Sequence, residues 1–388
     1  MLFAGRGSSL PDNRAPTARC GRLWIDLPAL ARNYAAIAAR VAPATAAAVV
    51  KADAYGLGSG PVASALWDAG CRRFFVAHLD EALAIRDELP PQAELIVLNG
   101  LPPGVEPLCA RHGIVPVLNS PGQAERWAET ARALDRRLPA VLQLDSGMSR
   151  LGLAPEDGVR LAHDDRFRQA VDLRLVMSHL ASSGTPDSEA NAMQIAAFDR
   201  LAAAFPGVPR SLANSGGAFL AAPYHKDVVR AGIALYGGSP SGDPADALEP
   251  VVRLDARVVQ VRTVPEGTGV GYDLTHRCTR PTRIATIGVG YADGLPRTLG
   301  NRGAAWFDGR RLPILGRVSM DSITLDVSDL PAGQPEEGDW VEIIGPHQPV
   351  DVLARDAGTI SYEILTSLGH RYDRHYLPFA GVISGRPA

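Results

Sequence analysis

The sequence predicts an α/β fold, namely a closed (β/α)8 barrel of the TIM type followed by a C-terminal β-rich domain. Short apolar runs alternate with longer amphipathic segments about eight times over roughly the first 240 residues, which is typical of parallel strands joined by helical crossovers. No Gly-x-Gly-x-x-Gly follows the first predicted strand, which disfavours an open doubly wound sheet that binds a dinucleotide. A change of pattern after residue 242 indicates the second domain.

The barrel elements follow one another in chain order. Pro28 begins an Ala-rich amphipathic segment and favours a helix start there, and the β-branched Val49 and Val50 favour a buried strand. The predicted strands are 23–27, 46–51, 73–77, 95–99, 114–118, 141–144, 173–179 and 211–213, with helices at 28–41, 61–69, 80–89, 105–111, 122–134 and 188–205 and one further segment at 159–163.

The second domain begins after a turn-rich stretch, Gly237-Gly-Ser-Pro-Ser-Gly242, which we interpret as a linker. Beyond it, apolar runs separated by Gly, Pro and Asp predict strands at 251–264, 282–289, 304–307, 322–327 and 340–344, and one helix at about 350–368. We therefore predict a mobile N-terminal tail over residues 1–20, a barrel domain over 21–242 and a β domain over 243–388.

The composition is that of an ordinary globular protein. With 388 residues, 46% of them hydrophobic, the chain can bury large cores, and a formal net charge of −3 disfavours nucleic acid and anionic membranes as partners. No apolar segment has signal-peptide length near the start, and none approaches the roughly 20 residues of a membrane span. The cysteines lack the paired spacing of a metal site, which predicts reduced thiols, no metal and a cytoplasmic location; they are Cys20, Cys71, Cys109 and Cys278.

A single lysine follows the apolar run 48–50. If this run is a barrel strand, Lys51 lies at its carboxyl end, where such barrels carry their active sites. Burial there favours the neutral amine, which can act as a Schiff-base nucleophile. His179, the pair Asn214-Ser215 and Arg230 also fall at predicted strand ends. Taken alone, each has a more common structural role, as a surface lysine, a core histidine, a turn or an ion pair.

The segment 51–56, Lys-Ala-Asp-Ala-Tyr-Gly, resembles the cofactor-lysine signature of the alanine racemase family, fold-type III enzymes that use pyridoxal 5'-phosphate (PLP). Further matching segments follow in the family's order through both predicted domains, and they begin at Leu144, Met177, Asn214, Arg230, Gly269, Gly290 and Gly316. The resemblance implies a PLP-dependent amino-acid racemase that interconverts L-alanine and D-alanine, for peptidoglycan synthesis or alanine catabolism.

The resemblance also implies the residues that hold the cofactor. Lys51 would carry it, and Arg230 would face the pyridine nitrogen, which stays unprotonated because arginine only donates hydrogen bonds. Arg150 would reach the phenolic oxygen of the cofactor and the substrate carboxylate. The phosphate would lie against the Asn214-Ser215 loop, the backbone of Gly232 and Ile233, and the hydroxyls of Tyr55 and Tyr362.

Racemisation removes the α-proton from one face of a planar intermediate and returns a proton to the other, so two acid–base groups on opposite faces are the simplest arrangement. Lys51 would serve one face, and by resemblance Tyr272 would serve the other. A free tyrosine has a pKa near 10 and needs positive charge nearby to act as a base. By resemblance, His179 links the tyrosine to Arg230.

In the family this tyrosine comes from a partner subunit, so the resemblance implies a head-to-tail homodimer with two shared sites. From the same partner, Met320 and Asp321 would contact the substrate carboxylate. Tyr291 and Tyr362 would form an aromatic gate, which favours a small amino acid as substrate.

One position departs from the family pattern. Many members carry a carbamylated lysine seven residues before the arginine that corresponds to Arg150, and this chain has Gln143 there. An amide oxygen can accept a hydrogen bond from Arg150 but carries no charge. We therefore predict activity without lysine carbamylation.

Alternative functions stay open at this point. The substrate could be serine or another small amino acid, the protein could be a fold-related PLP decarboxylase or D-amino-acid lyase, or it could be a non-catalytic PLP-binding homeostasis protein. Arg230 in place of a carboxylate and Tyr272 in place of a cysteine-based acid disfavour the decarboxylase. The long β domain disfavours the homeostasis protein, because such proteins resemble the barrel alone.

Overall fold

The structure is a computed structural model in which residues 17–242, 246 and 248–377 are described. The chain forms two compact units. We call the first the barrel unit, which runs from Leu30 to Glu249, and the second the sheet unit, which combines the chain up to Ala29 with the chain from Pro250 onward. Most of the predicted tail, residues 1–16, lies outside the described residues.

Eight parallel strands form the barrel. The first strand of the chain, β1 (Gly21–Asp26), belongs to the sheet unit, and the barrel strands are β2 (Thr45–Val49), β3 (Arg73–Val76), β4 (Glu94–Val97), β5 (Val115–Leu118), β6 (Leu138–Gln143), β7 (Val171–Met177), β8 (Arg210–Ser211) and β9 (Val228–Ala231). They lie in the order β8-β7-β6-β5-β4-β3-β2-β9. Backbone hydrogen bonds of 3.0 Å from Asp227 N to Arg210 O and from Arg230 N to Ala213 O connect β9 to β8 and close the barrel.

Helical segments alternate with these strands. They are α1 (Leu27–Val41), α2 (Lys51–Gly56), α3 (Ser59–Asp68), α4 (Leu79–Arg86), α5 (Glu106–Arg111), α6 (Pro121–Ala133), α7 (Pro155–Ala162), α8 (Asp165–Ala170) and α9 (Glu189–Ala202). Their starts follow from the sequence, because Pro stands in the first turn of α5, α6 and α7 and the side chains of Ser120 and Asp164 accept backbone N–H groups at the starts of α6 and α8. The strands between them are apolar at consecutive positions, as strands covered on both faces must be.

The sheet unit is built on a second eight-stranded sheet. Its remaining strands are β10 (Val252–Val264), β11 (Gly269–Val270), β12 (His276–Arg277), β13 (Thr282–Ile287), β14 (Ala304–Phe307), β15 (Arg310–Pro313), β16 (Ile323–Asp326), β17 (Trp340–Ile344) and β18 (Asp373–Leu377), and its helices are α10 (Val350–Ala357) and α11 (Ser361–Ser367). The main path is β15-β14-β17-β10-β1-β18, with β13 joining β10 to β16, while β11 and β12 form a separate hairpin. The predicted barrel and β-rich domain are thus confirmed.

The prediction was wrong about the first strand. β1 was assigned to the barrel domain, but it pairs antiparallel with β10 and parallel with β18 in the sheet unit. The place of the eighth barrel strand is taken by β9, which pairs with β2. Leu23 and Ile25 are fully buried in the sheet unit. The apolar pattern of β1 therefore predicted correctly that a strand forms here, but it did not predict which strands pair with it.

Two helix predictions also change. The single helix predicted at 350–368 is two helices, α10 and α11, because Gly358 ends α10 with a left-handed φ of 75°. The segment predicted at 159–163 forms the second half of α7 and the residue after it.

The unit boundary lies later than the predicted domain boundary at residue 242. The Asn33 side chain in α1 accepts from Glu249 N at 2.8 Å and donates to Glu249 O at 2.9 Å, which keeps the chain up to Glu249 with the barrel unit. Residues 243–245 and 247 lie outside the described part. Within the described residues, no helix combines the length and apolar character needed to cross a bilayer, and no group of three or more His, Cys, Asp or Glu side chains could hold a metal ion.

Candidate active site

Lys51 stands two residues beyond the end of β2, at the head of an unusual turn. Segment α2 is wound left-handed, with φ between 52° and 56° at four successive non-glycine residues, Ala52 to Tyr55. A left-handed conformation costs roughly 1–2 kcal/mol for each such residue. Neighbouring groups hold the turn, since Ser59 N donates to Asp53 Oδ1 at 2.7 Å and Gly58 N to Asp53 O at 2.9 Å. Gly56 and Gly58 also have positive φ, of 79° and 94°, but the strained non-glycine residues come before them.

The surroundings of Lys51 favour its neutral amine. Burial lowers the pKa of Lys51, and the positive charge of Arg150 lowers it further, while the negative charge of Glu81 acts in the opposite direction. A neutral amine is the form that can attack a carbonyl or accept a proton.

Arg230 on β9 is a buried cation with only 2% of its surface exposed. Its guanidinium donates to the hydroxyl of Ser211, to Ser178 O at 2.6 Å and to Leu212 O at 3.4 Å. Burial lowers the pKa of Arg230 to about 10, so the group stays protonated at neutral pH. It can therefore only donate hydrogen bonds to a ligand.

His179 follows β7 and lies against Arg230, with Arg230 Nη2 3.3 Å from His179 Nδ1. Because the arginine is a donor, Nδ1 accepts and the proton of the neutral ring is assigned to Nε2. Asn214 Nδ2 lies 3.3 Å from Nε2, but this amide also donates to Leu180 O at 3.2 Å and is satisfied there. Burial, followed by the charges of Arg230, Arg150 and Lys51, lowers the pKa of His179 to about 3, which keeps it neutral.

This depressed pKa predicts an acid dependence of stability. Between about pH 6.5 and pH 3 the unfolded chain binds a proton at His179 that the folded chain does not. The contribution of His179 to the free energy of unfolding is therefore complete above pH 6.5 and is lost as the pH falls. Between pH 7 and pH 5 the loss amounts to about 2 kcal/mol. Urea unfolding of the native protein and of His179→Gln at one protein concentration is expected to show a flatter pH dependence in the variant. Parallel curves would contradict the assignment.

A cluster of hydroxyls and main-chain N–H groups lies beyond the carboxyl ends of β8 and β9. The Ser215 hydroxyl accepts from Gly232 N at 2.7 Å and from Ala234 N at 3.4 Å. The Tyr55 ring packs against Tyr236 with ring centres 4.6 Å apart, and a Cβ atom on Gly232 would collide with the Tyr55 hydroxyl. Hydroxyls and main-chain N–H groups therefore meet where a side chain at position 232 would stand, and Ile233 begins the 3₁₀ turn Ile233–Tyr236 beside them. Such a donor set suits a phosphate ester.

Arg150 lies on an exposed loop after β6 that is fixed at its base. Asp145 Oδ1 accepts from Gly147 N at 2.9 Å and from Met148 N and Ser149 N at 3.1 Å each. Gln143 Nε2 donates to Leu151 O at 3.1 Å, and no hydrogen bond joins Gln143 to Arg150 in the described part of the chain. The amide thus restrains the backbone beside Arg150.

The sheet unit brings together most of the other predicted residues. Tyr272, Tyr291 and Met320 are 66%, 42% and 51% exposed. The turn that carries Tyr291 is bonded to the Met320 loop, because Tyr291 N donates to Ser319 O and Ala292 N to Met320 O, both at 3.0 Å. Tyr272 lies in the loop of the β11–β12 hairpin, whose Gly271 packs against the segment 316–317.

The remaining two residues of this unit have different surroundings. Asp321 accepts from Arg371 Nη1 at 2.6 Å, and the same guanidinium binds the buried Asp293 through two hydrogen bonds of 2.7 Å. Tyr362 lies in the first turn of α11, where burial raises the pKa of its phenol to about 12.

The structure therefore places the predicted residues in two groups. The barrel unit holds one group at the carboxyl ends of its strands: Lys51, Tyr55, Arg150, His179, Asn214, Ser215, Arg230, Gly232 and Ile233. The sheet unit holds Tyr272, Tyr291, Met320, Asp321 and Tyr362. Sequence reasoning missed Ser211, Glu81 and Arg371, which act on these residues from elsewhere in the chain and belong to none of the matched segments.

Comparison with known proteins gives the family. Two protein-family models match the sequence. The family model "Alanine racemase, N-terminal domain" matches residues 25–240, and the family model "Alanine racemase, C-terminal domain" matches residues 251–376. The chain belongs to the alanine racemase family. The family recognised from the sequence is thus confirmed.

Curated relatives and solved structures agree with this family. The alanine racemase of Brucella canis is 54% identical over 384 residues, covering 95% of this chain and 97% of the relative. The catabolic alanine racemase of Agrobacterium fabrum is 53% identical over 357 residues, covering 92% of both. The structure of the Bartonella henselae alanine racemase, with covalently bound pyridoxal phosphate, has a TM-score of 0.90 at 44% identity and covers 93% of this chain and 100% of its own. The biosynthetic alanine racemase of Pseudomonas aeruginosa has a TM-score of 0.85 at 36% identity, with coverages of 93% and 100%.

Proposed function

We propose that this protein interconverts L-alanine and D-alanine with PLP as its cofactor, and that Lys51 and Tyr272 exchange protons on opposite faces of the substrate α-carbon. The observation that carries the proposal is the half-buried Lys51 just beyond the end of β2, whose amine has its pKa lowered by its surroundings, within a chain that belongs to the alanine racemase family. The product would supply peptidoglycan synthesis or enter alanine catabolism.

The residues of the barrel unit fit PLP. Lys51 would hold its aldehyde carbon, Arg230 would donate to its pyridine nitrogen, and the donors around Gly232 would hold its phosphate: Tyr55, Ser215, Gly232 and Ile233. When bound, the cofactor makes the α-proton of an amino acid acidic by withdrawing electrons. Ser178 O and Ser211 fix the Arg230 guanidinium in place. Because this group keeps its own proton and only donates a hydrogen bond, the pyridine nitrogen would stay unprotonated, which would limit the electron withdrawal.

The chain's own residues then handle the proton. Lys51, half-buried and with its pKa lowered by its surroundings, accepts or returns the proton at one face of the α-carbon. On the other face the phenol oxygen of Tyr272 of the partner subunit does the same. Arg230 supplies the positive charge that a phenol needs nearby to lose its proton, and the neutral His179 links the two. Arg150 orients the substrate carboxylate from its fixed loop.

The dimer is part of the proposal. Tyr272, Leu274 and Met320 expose large apolar surfaces on the sheet unit, as residues that enter a partner's site would. Met320 and Asp321 would contact the substrate there, and Tyr291 and Tyr362 would narrow its entrance. A cytoplasmic location also belongs to this proposal, supported by free cysteines at all four positions.

The proposal is tested by incubating the purified protein and PLP with each L-amino acid and separating the products by chiral chromatography. D-alanine is expected as the principal product, approaching an equal mixture of enantiomers. D-serine in larger yield would reassign the substrate, carbon dioxide release would indicate a decarboxylase, and an unchanged L-amino acid with bound cofactor would indicate a binding protein.

Activity is expected without carbamylation of a lysine. The chain has only two lysines, Lys51 and Lys226, and Lys226 is ion-paired with Asp199 at 2.7 Å. With Gln143 bonded to Leu151 O, Arg150 is oriented through its backbone rather than by a carbamate. We expect the intact mass to show no carbon dioxide adduct and the rate not to change with added bicarbonate. Gln143→Lys serves as a control that restores a target for the modification, and a bicarbonate-dependent rate in the native protein would contradict the prediction.

A further inference from the structure

Glu81 is placed so that one carboxylate holds two neighbouring strand ends of the barrel. It lies in the first turn of α4, and its Oε2 accepts from Ala77 N at 2.6 Å and from His78 N at 3.1 Å, where the chain leaves β3. Its Oε1 accepts from Ala52 N at 2.7 Å. The last contact joins α4 to the residue that follows Lys51.

This contact stands at the start of the left-handed turn that follows Lys51. Ala52 is the first of the four residues with left-handed φ, so its N–H direction is set by a conformation that the residue does not adopt readily. An ionised carboxylate is the strongest acceptor available for such an N–H, because charge-assisted hydrogen bonds are shorter and stronger than neutral ones. Without it, Ala52 N–H loses its carboxylate partner and the turn loses an anchor outside itself.

We propose that Glu81 is a positioning residue for the lysine-dependent reaction: it fixes the backbone exit from Lys51 and places a negative charge beside the Lys51 amine. The inference rests on the proposed function only in taking Lys51 as the reactive lysine. Glu81 touches neither substrate nor cofactor in this role, and acts through Lys51 and Ala52.

The charges around Lys51 give this role a measurable consequence. The positive charge of Arg150, in the loop after β6, lowers the pKa of Lys51, and the charge of Lys51 in turn lowers the pKa of His179 at the end of β7. Asp53, on the same turn as Lys51, accepts a hydrogen bond from Ser59 N. Glu81 is the group whose charge raises the pKa of Lys51 against burial and Arg150. Removal of that charge should therefore lower the pKa of Lys51, so that its amine loses the proton at a lower pH.

The composition of the chain makes the test direct. Only Lys51 and Lys226 carry ε-amines, and Lys226 is paired with Asp199 in another part of the barrel. Full-length protein freed of cofactor is labelled with a trace of acetic anhydride between pH 6 and pH 10, and the two lysine peptides are quantified by mass spectrometry. Lys226 reports whether the fold is intact, and Lys51 reports its own protonation.

In Glu81→Gln, which keeps the size and removes the charge, we expect Lys51 labelling at pH 7 to rise by about threefold or more, with an unchanged Lys226 profile. Asp80→Asn is the matched control, because it removes the same charge from an exposed position in the same helical turn and should leave Lys51 unchanged. If Glu81→Gln does not fold, Glu81→Asp provides the test: it keeps the charge but is one methylene shorter, and is expected to shift Lys51 labelling and broaden its pH profile.

A Lys51 profile that is unchanged in Glu81→Gln, or that moves equally in Asp80→Asn, would overturn the inference. The labelling does not depend on racemase activity, so the two proposals fail separately. Absence of D-alanine formation with a shifted Lys51 profile would remove the proposed function alone, and normal racemisation with an unshifted profile would remove the role of Glu81 alone.

Discussion

Replacing Lys51 with alanine is expected to lower racemisation by at least about 10⁴-fold, because the change removes both the proposed covalent attachment point and one of the two proposed proton-transfer groups. Lys226 is the chain's other lysine and is held by Asp199 at 2.7 Å, so no second ε-amine is available to replace it. The variant should bind PLP without the absorbance of a lysine-linked cofactor. Chiral chromatography gives the rate, and the absorbance spectrum gives the linkage.

The matched control for this prediction is Lys51→Arg, which keeps the positive charge near Arg150 but has no nucleophilic amine. It should be as inactive as the alanine variant. Borohydride treatment of the native holoenzyme followed by peptide mass mapping is expected to place the reduced cofactor on Lys51. Its appearance on Lys226, or substantial turnover by either variant, would show that the reactive lysine has been misassigned.

Replacing Tyr272 with phenylalanine is expected to lower racemisation by about 10²- to 10⁴-fold, since the change removes a single hydroxyl that acts as an acid–base group. The residue is 66% exposed, so the free energy of unfolding should change by no more than about 0.5 kcal/mol. With Lys51 intact, one face of the substrate keeps a working base. Hydrogen exchange from solvent into the α-position is therefore expected to persist for one alanine enantiomer and to be lost for the other.

Tyr291→Phe is the appropriate comparison, because it removes a phenol hydroxyl from another exposed tyrosine of the sheet unit. Because Tyr291 is proposed to narrow the substrate entrance, its replacement should affect the Michaelis constant more than the turnover number. Mass spectrometry in deuterated buffer separates exchange from inversion for both variants. Full turnover by Tyr272→Phe, or equal loss of exchange for both enantiomers, would exclude Tyr272 as the second base.

The sequence predicted the architecture because barrel strands carry their information locally. Runs such as Phe74 and Phe75 in β3 are buried on both faces, and their alternation with amphipathic helices is readable without knowledge of distant contacts. The first strand shows the limit of this reasoning. Its pattern predicts a strand, but only its pairing with β10 and β18, far along the chain, decides which sheet it joins.

The candidate site was predicted to the extent that its residues occur in recognisable segments. Lys51, Arg230 and Tyr272 lie in such segments, whereas Glu81 and Ser211 act through hydrogen bonds that join distant positions. The left-handed turn could not be predicted either, because alanine and tyrosine rarely adopt positive φ and a single aspartate among them does not predict four such residues in succession. Such a conformation is imposed by its surroundings, which a local pattern does not contain.

The position of β1 between β10 and β18 has a consequence for synthesis of the protein. During translation, residues 30–249 emerge after β1 and before either of its partners, which takes on the order of ten to forty-five seconds at typical ribosome speeds. For that time the nascent strand presents Leu23 and Ile25 without their β10 and β18 neighbours, and the barrel can close only towards the end of it, once β9 has emerged. β18 follows β10 by most of the sheet unit, so β1 can pair with β10 before it can pair with β18, and a chain without β18 would leave β1 as an open edge of the sheet.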